Sequence, residues 1–142
     1  MWRLRWDVTN PHPAWSLDLS AGGAGAIDLV VDQPLNDATP HSLRVTVSGL
    51  PAGGRGPTLL NDGYWGMAVK AGERYRLSFF ARAEGVSAVA ATFLTGKGVA
   101  AGAGTIRVQP GPWRKYDMTL VASATDAKAR LGLSFAPAGR IF

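Results

Sequence analysis

Cysteine is missing from this sequence, and histidine and glutamate are nearly so: His12 and His41 are the only imidazoles, Glu73 and Glu84 the only glutamates. The first absence excludes disulfides, thiolate metal sites and cysteine nucleophiles, and it leaves the redox compartment undefined. The scarcity of the other two narrows catalysis. Each histidine stands beside a proline, with no second metal ligand at a useful spacing, so both read as surface side chains. Both glutamates fall in turns, so a pair of acids for glycoside hydrolysis would have to come from aspartates that are dispersed along the chain. No G-x-S-x-G elbow, P-loop, H-E-x-x-H or complete G-x-G-x-x-G occurs, and Gly23 to Asp28 (GAGAID) carries only the first half of the last. The residues therefore point away from an enzyme.

Charge is also sparse, at 18% of residues against 46% apolar ones, and long apolar runs are absent. No stretch approaches the roughly eighteen residues of a membrane span, and Met1 to Asn10 lacks the apolar centre of a signal peptide. The net charge of +5 comes from eleven arginines and four lysines scattered mostly one at a time. Nucleic-acid binding, which favours a clustered basic stripe, is not expected. A chain of 142 residues fits one domain with a real core, so residues 1–142 read as a single domain, excised from something larger, with 1–13 an irregular N-terminal segment.

What the sequence does have is 18 glycines, 9 prolines and period-two alternation. Leu43, Val45 and Val47 alternate with Ser42, Arg44, Thr46 and Ser48; Tyr75, Leu77, Phe79 and Ala81 with Arg74, Arg76, Ser78, Phe80 and Arg82. Tyr116, Met118 and Leu120 alternate with Lys115, Asp117 and Thr119, and Leu131, Leu133 and Phe135 with Arg130, Gly132 and Ser134. Weaker alternation covers Trp15 to Leu19 and Ile27 to Val31. Gly22 to Gly25, Pro34 to Pro40, Pro51 to Pro57, Ala71 to Glu73, Gly96 to Gly104 and Pro110 to Pro112 supply turn chemistry between these runs. The pattern predicts an all-β fold, a sandwich, jelly roll or barrel, with 96–104 as a loop.

The alternation sorts side chains by face. If YWGMAVK is a strand, Trp65, Met67 and Val69 share the core face, while Tyr64 stands opposite with Gly66 leaving a gap beside it. Phe80 falls on the polar face between Ser78 and Arg82. A flat ring beside arginine, asparagine and aspartate suits a sugar, whose C–H face lies on the ring while its hydroxyls take hydrogen bonds. The candidate carbohydrate-binding residues are Tyr64 and Phe80 as platforms, with Asn61, Asp62, Arg76 and Arg82 orienting hydroxyls. An aromatic on a polar strand face also serves to pack against a loop, and both readings stand for these two rings. Trp113, after Pro112, reads either as a rim anchor or as a cap on the core.

Pro34 to Asn36 (PLN), Pro40 to Val45 (PHSLRV), Asn61 to Met67 (NDGYWGM), Lys70 to Ala83 (KAGERYRLSFFARA), Trp113 to Ser123 (WRKYDMTLVAS) and Thr125 to Leu133 (TDAKARLGL) resemble, in order, the carbohydrate-binding-like domain near the N-terminus of α-L-arabinofuranosidases. The resemblance implies a galactose-binding-like jelly-roll β-sandwich of two antiparallel sheets, whose parent glycoside hydrolase keeps its catalytic glutamates on a separate barrel. It implies a non-catalytic module that binds arabinoxylan, xylan or β-glucan, partners an attached catalytic domain, and works outside the cell. The alternative is a structural domain that packs on the catalytic barrel and binds no sugar. No cofactor is expected. A structural calcium site is conceivable for such a fold, but in the family its carboxylate would belong to a strand after Gly139 to Phe142, where this sequence stops. Without that strand an open sheet edge remains, and with it a tendency toward homodimers or strand exchange.

Overall fold

The computed structural model describes residues 14–53, 56–63 and 66–142. Among them are eleven β-strands: β1 (Trp15–Asp18), β2 (Ala24–Val30), β3 (Ser42–Gly49), β4 (Thr58–Asn61), β5 (Met67–Val69), β6 (Arg74–Glu84), β7 (Ala88–Leu94), β8 (Ala100–Arg107), β9 (Gly111–Val121), β10 (Asp126–Ala136) and β11 (Gly139–Ile141). They form two antiparallel sheets facing each other as a sandwich, one in the order β1-β4-β10-β7-β8 with β5 also on β10, the other β2-β3-β11-β6-β9. Each alternating run of the sequence is a strand, because one face of it meets the opposite sheet. Val45, Val47, Ala81, Leu59 and Phe135 meet in one part of the core, and Leu120, Phe93, Ala91 and Leu131 in the other. Phe79 stacks on Tyr116 at 5.6 Å between ring centroids, and Tyr75 meets Phe93 edge-on at 5.4 Å.

The strands that alternation did not mark have local reasons. β7 (AVAATFL) is buried or half-buried at every residue, so it shows no polar phase. The segment 96–104 expected as a loop divides: Thr95 to Val99 turns, with the Gly98 N–H donating to the Thr95 carbonyl, and β8 begins at Ala100. Its small residues are needed for close approach, since a Cβ on Gly104 would sit 3.0 Å from the Met118 side chain. Likewise Gly111, expected in a turn, opens β9, and Glu84, also expected in a turn, closes β6.

The short β11 fills only part of the space between its two neighbours. It lies between β3 and β6, pairing Ile141 with Val45 on one side and with Ala83 on the other. Phe142 adds one more rung, its N–H donating to the Arg82 carbonyl at 2.9 Å and its carbonyl accepting from the Arg82 N–H at 3.2 Å. Past that rung β3 runs on to Ser42 and β6 to Arg74, held by β2 and β9 on their far edges, with nothing between them among the described residues.

Candidate functional site

The outer face of β6 and β9 carries the one expected aromatic platform that the structure describes. Residues directly opposite in an antiparallel ladder share a face, so Arg76 stands beside Thr119, Ser78 beside Asp117 and Phe80 beside Lys115. Phe80 is 51% exposed, enough to offer a ring face to a ligand. Two residues along, Asp117 Oδ1 accepts from Arg76 Nε at 3.2 Å, from Arg76 Nη2 at 2.9 Å and from the Ser78 hydroxyl. The Ser78 bond first and the Arg76 bond second hold the Asp117 carboxyl below its ordinary range. The result is a half-exposed ring flanked by a fixed carboxylate, a hydroxyl and a largely exposed guanidinium.

Beside Phe80 the sheet opens. A cavity of about 340 Å³ enters the sandwich at the gap past Phe142, with Leu43 and Val45 on one wall, Ala81 on the other, and Leu59, Leu133 and Phe135 of the opposite sheet as its floor. Trp113 lines its rim, its indole Nε1 donating to the Gln33 carbonyl at 2.8 Å, which fixes the ring against the segment between β2 and β3. Lys115, the cross-strand neighbour of Phe80, was not singled out by the sequence, because only the ladder register brings the two together.

The remaining candidates are separated from this surface. Tyr64, with its neighbour Trp65, lies outside the described residues. Asn61 ends β4 in the other sheet, where it pairs with Trp15 and Leu131, and its Oδ1 accepts the Gly63 N–H at 2.8 Å. This side chain is therefore used in closing a turn. Asp62 follows it and approaches Arg130 at 3.9 Å, again on the other sheet. The candidate polar residues thus divide between the two sheets, because β4 and β10 do not share a sheet with β3, β6 and β9.

Arg82 shares the β6 face with Phe80 but is only 5% exposed. Its Nη1 donates to Glu84 Oε1 at 2.7 Å, its Nη2 lies 3.8 Å from Asp32 Oδ2, and its guanidinium carbon sits 3.8 Å above the centre of the Phe142 ring. Nε and Nη2 are covered and have no hydrogen-bond partner. The expectation that Arg82 orients ligand hydroxyls is corrected accordingly: its donors point into the protein. The gap expected at Gly66 is also occupied, since a Cβ there would lie 2.7 Å from Lys128 Cα, so the close approach is made by β10.

Among the described residues no group of three histidine, aspartate or glutamate side chains is placed to hold a metal ion. No helix among them is long and apolar enough to cross a membrane. A second cavity of about 330 Å³, lined by Leu50, Pro51, Ala90, Thr105, Ser134 and the buried Phe135, has no exposed ring.

No family model matches the chain. Over 102 residues, 66% of this chain, it is 31% identical to alpha-L-arabinofuranosidase 1 of Arabidopsis thaliana. The chain spans only 14% of the length of that relative. Among solved structures, an arabinose-bound MgGH51 α-L-arabinofuranosidase superposes with a TM-score of 0.73 at 20% identity, over 90% of this chain and 22% of the other. A CBM4 structure superposes with a TM-score of 0.59 at 13% identity, over 93% of this chain and 84% of the other. The chain thus resembles a region of α-L-arabinofuranosidases in sequence, and in fold it is the two-sheet sandwich of carbohydrate-binding modules.

Proposed function

We propose that this chain is a non-catalytic carbohydrate-binding module that holds a hemicellulose chain, arabinoxylan, xylan or β-glucan, and keeps an attached glycosidase near its substrate. The observation that carries the reading is Phe80, half exposed on an outer sheet face beside the Arg76–Asp117–Ser78 cluster. A sugar ring stacked on Phe80 places its hydroxyls toward a carboxylate that accepts and a guanidinium that donates. The gain to the glycosidase is effective concentration, with no bond made or broken by this chain. Tyr64 belongs to the proposal as a second platform on sequence grounds alone.

Native affinity electrophoresis against arabinoxylan, xylan, arabinan, β-glucan and hydroxyethyl cellulose, with and without calcium, tests it. Retardation in at least one gel is expected, and Phe80→Ala removes most of it while leaving the melting curve near wild type. Free migration in every gel sinks the reading. It would favour the second one, a structural domain packed against the rest of a longer protein, for which the apolar cavity beside Phe80 and Trp113 speaks.

A further inference from the structure

The charges of the sheet that carries Phe80 are unevenly matched. Asp28 is paired with Arg44, Asp117 with Arg76, and Glu84 with both Arg82 and Arg140, while Asp32 approaches Arg82 at 3.8 Å. Lys115, Arg114 and Arg74 take part in no ion pair among the described residues. Of these three, Lys115 stands directly across the ladder from Phe80 and is exposed. Facing pairs hold their Cβ atoms about 5 Å apart, which brings the edge of the Phe80 ring within reach of the Lys115 ammonium on its flexible stem. No described cation lies over that ring, so its face is left free. The pairing of β6 with β9 is unbroken from Arg74 to Ala81, and the juxtaposition therefore does not depend on what adjoins the other edge of β6. Asp117, two residues along, adds little repulsion toward an anion, because Arg76 neutralises it and Arg76 and Ser78 occupy its Oδ1. This face thus sets Arg74, Arg76 and Lys115 against Asp117 alone.

We propose that the sugar held on Phe80 is an acidic one, a glucuronic acid unit of a substituted xylan, with its C–H face on the ring and its carboxylate on the Lys115 ammonium. The proposal rests on the reading of Phe80 as a platform and names the class of ligand that the platform takes. A uronic acid carries its carboxylate at the edge of the pyranose ring. Stacked on Phe80, such a unit projects the charge sideways along the sheet, where Lys115 stands. The carboxylate and the ammonium then form a charge-assisted hydrogen bond, whereas a neutral sugar offers Lys115 only a hydroxyl. Asp117 and Arg76 remain to accept from and donate to the hydroxyls.

The test is isothermal titration of the full chain with xylotetraose carrying one glucuronic acid unit, against the same compound after reduction of its carboxyl to the primary alcohol. Reduction keeps the ring and its hydroxyls and removes only the charge. At low ionic strength the acid form is expected to bind about fivefold more tightly, and the preference to shrink as salt is added. Lys115→Gln brings the two affinities together, while Lys115→Arg keeps them apart. Lys128→Gln, which removes the same charge from the other sheet, keeps them apart as well. Equal binding of the two forms by the wild-type chain overturns the proposal and leaves the platform on Phe80 standing. Binding of neither form overturns it too: alone if a neutral polysaccharide still retards the chain in the gels, and together with the carbohydrate-binding reading if none does. A preference that survives Lys115→Gln, or that Lys128→Gln abolishes equally, belongs to the net charge of the chain and also overturns the proposal.

Discussion

Removing the charge from one or the other side of the Arg82–Glu84 pair has unequal consequences, and the inequality follows from burial. Arg82 is 5% exposed, whereas the Glu84 side chain is 38% exposed and also bound to Arg140 Nη2 at 2.7 Å. Glu84→Ala leaves a buried guanidinium with Asp32 at 3.8 Å as its sole counter-ion, and a stranded buried charge costs about 3 kcal/mol. Arg82→Met removes the charge itself. The remaining Glu84 keeps Arg140 and water, the methionine still covers the Phe142 ring, and two nitrogens that now lie buried without a hydrogen-bond partner disappear. The lost attraction and the lost desolvation cost roughly cancel, so the variant lies within about 1 kcal/mol of wild type. Urea unfolding at neutral pH, with the slope checked for constancy, separates these outcomes, and at about 3 °C per kcal/mol the melting points differ by several degrees. If Arg82→Met loses as much as Glu84→Ala, the guanidinium stabilises the fold on balance, and its attraction to Glu84 outweighs its desolvation cost, contrary to the reasoning from burial.

Leu120 is 1% exposed in the core cluster with Ala91 and Phe93, so Leu120→Ala is expected to cost about 3 kcal/mol in urea unfolding, and a loss below about 1 would mean that the site collapses freely. Gly66→Ala meets both a φ of +92° and the Lys128 backbone, so it should destabilise by about 2 kcal/mol or more, although the sequence suggested open space beside this residue. Asp117 is held below the ordinary carboxylate range by Ser78 and Arg76, and Asp126 by the N–H groups of Lys128 and Gly96. A depressed carboxyl stabilises the fold above its unfolded value, and that contribution is lost as pH falls through the folded value. Stability should therefore fall with acid from about pH 4 downward, and Asp117→Asn should flatten this fall in unfolding curves taken at successive pH values. An unchanged slope would remove Asp117 from the account.

Much of the fold was legible because each long strand buries a single face. β3, β6, β9 and β10 declare themselves by alternation, and the inward placing of Tyr75, Leu77, Phe79, Tyr116, Met118 and Leu120 follows from it directly. β7, β8 and β11 escaped for separate reasons: one is covered almost throughout, one opens with five alanines and glycines, and one is three residues long. The site was legible only in part. That Phe80 points outward is a property of its own strand, so the sequence determines it; which residues stand beside it depends on register and sheet order, which are long-range.

What the sequence by itself determined, then, is an all-β chain with specified inward and outward residues, without cysteine chemistry and with an exposed ring on a polar strand face, because these depend on composition and on a local period of two. The tertiary structure alone decided that Asn61 and Asp62 belong to a different sheet from Phe80, that Arg82 is buried on Phe142, and that a slot opens between β3 and β6. Those depend on which strands become neighbours, and pairing between strands distant in sequence is settled by the packing of the whole sandwich rather than by any local pattern.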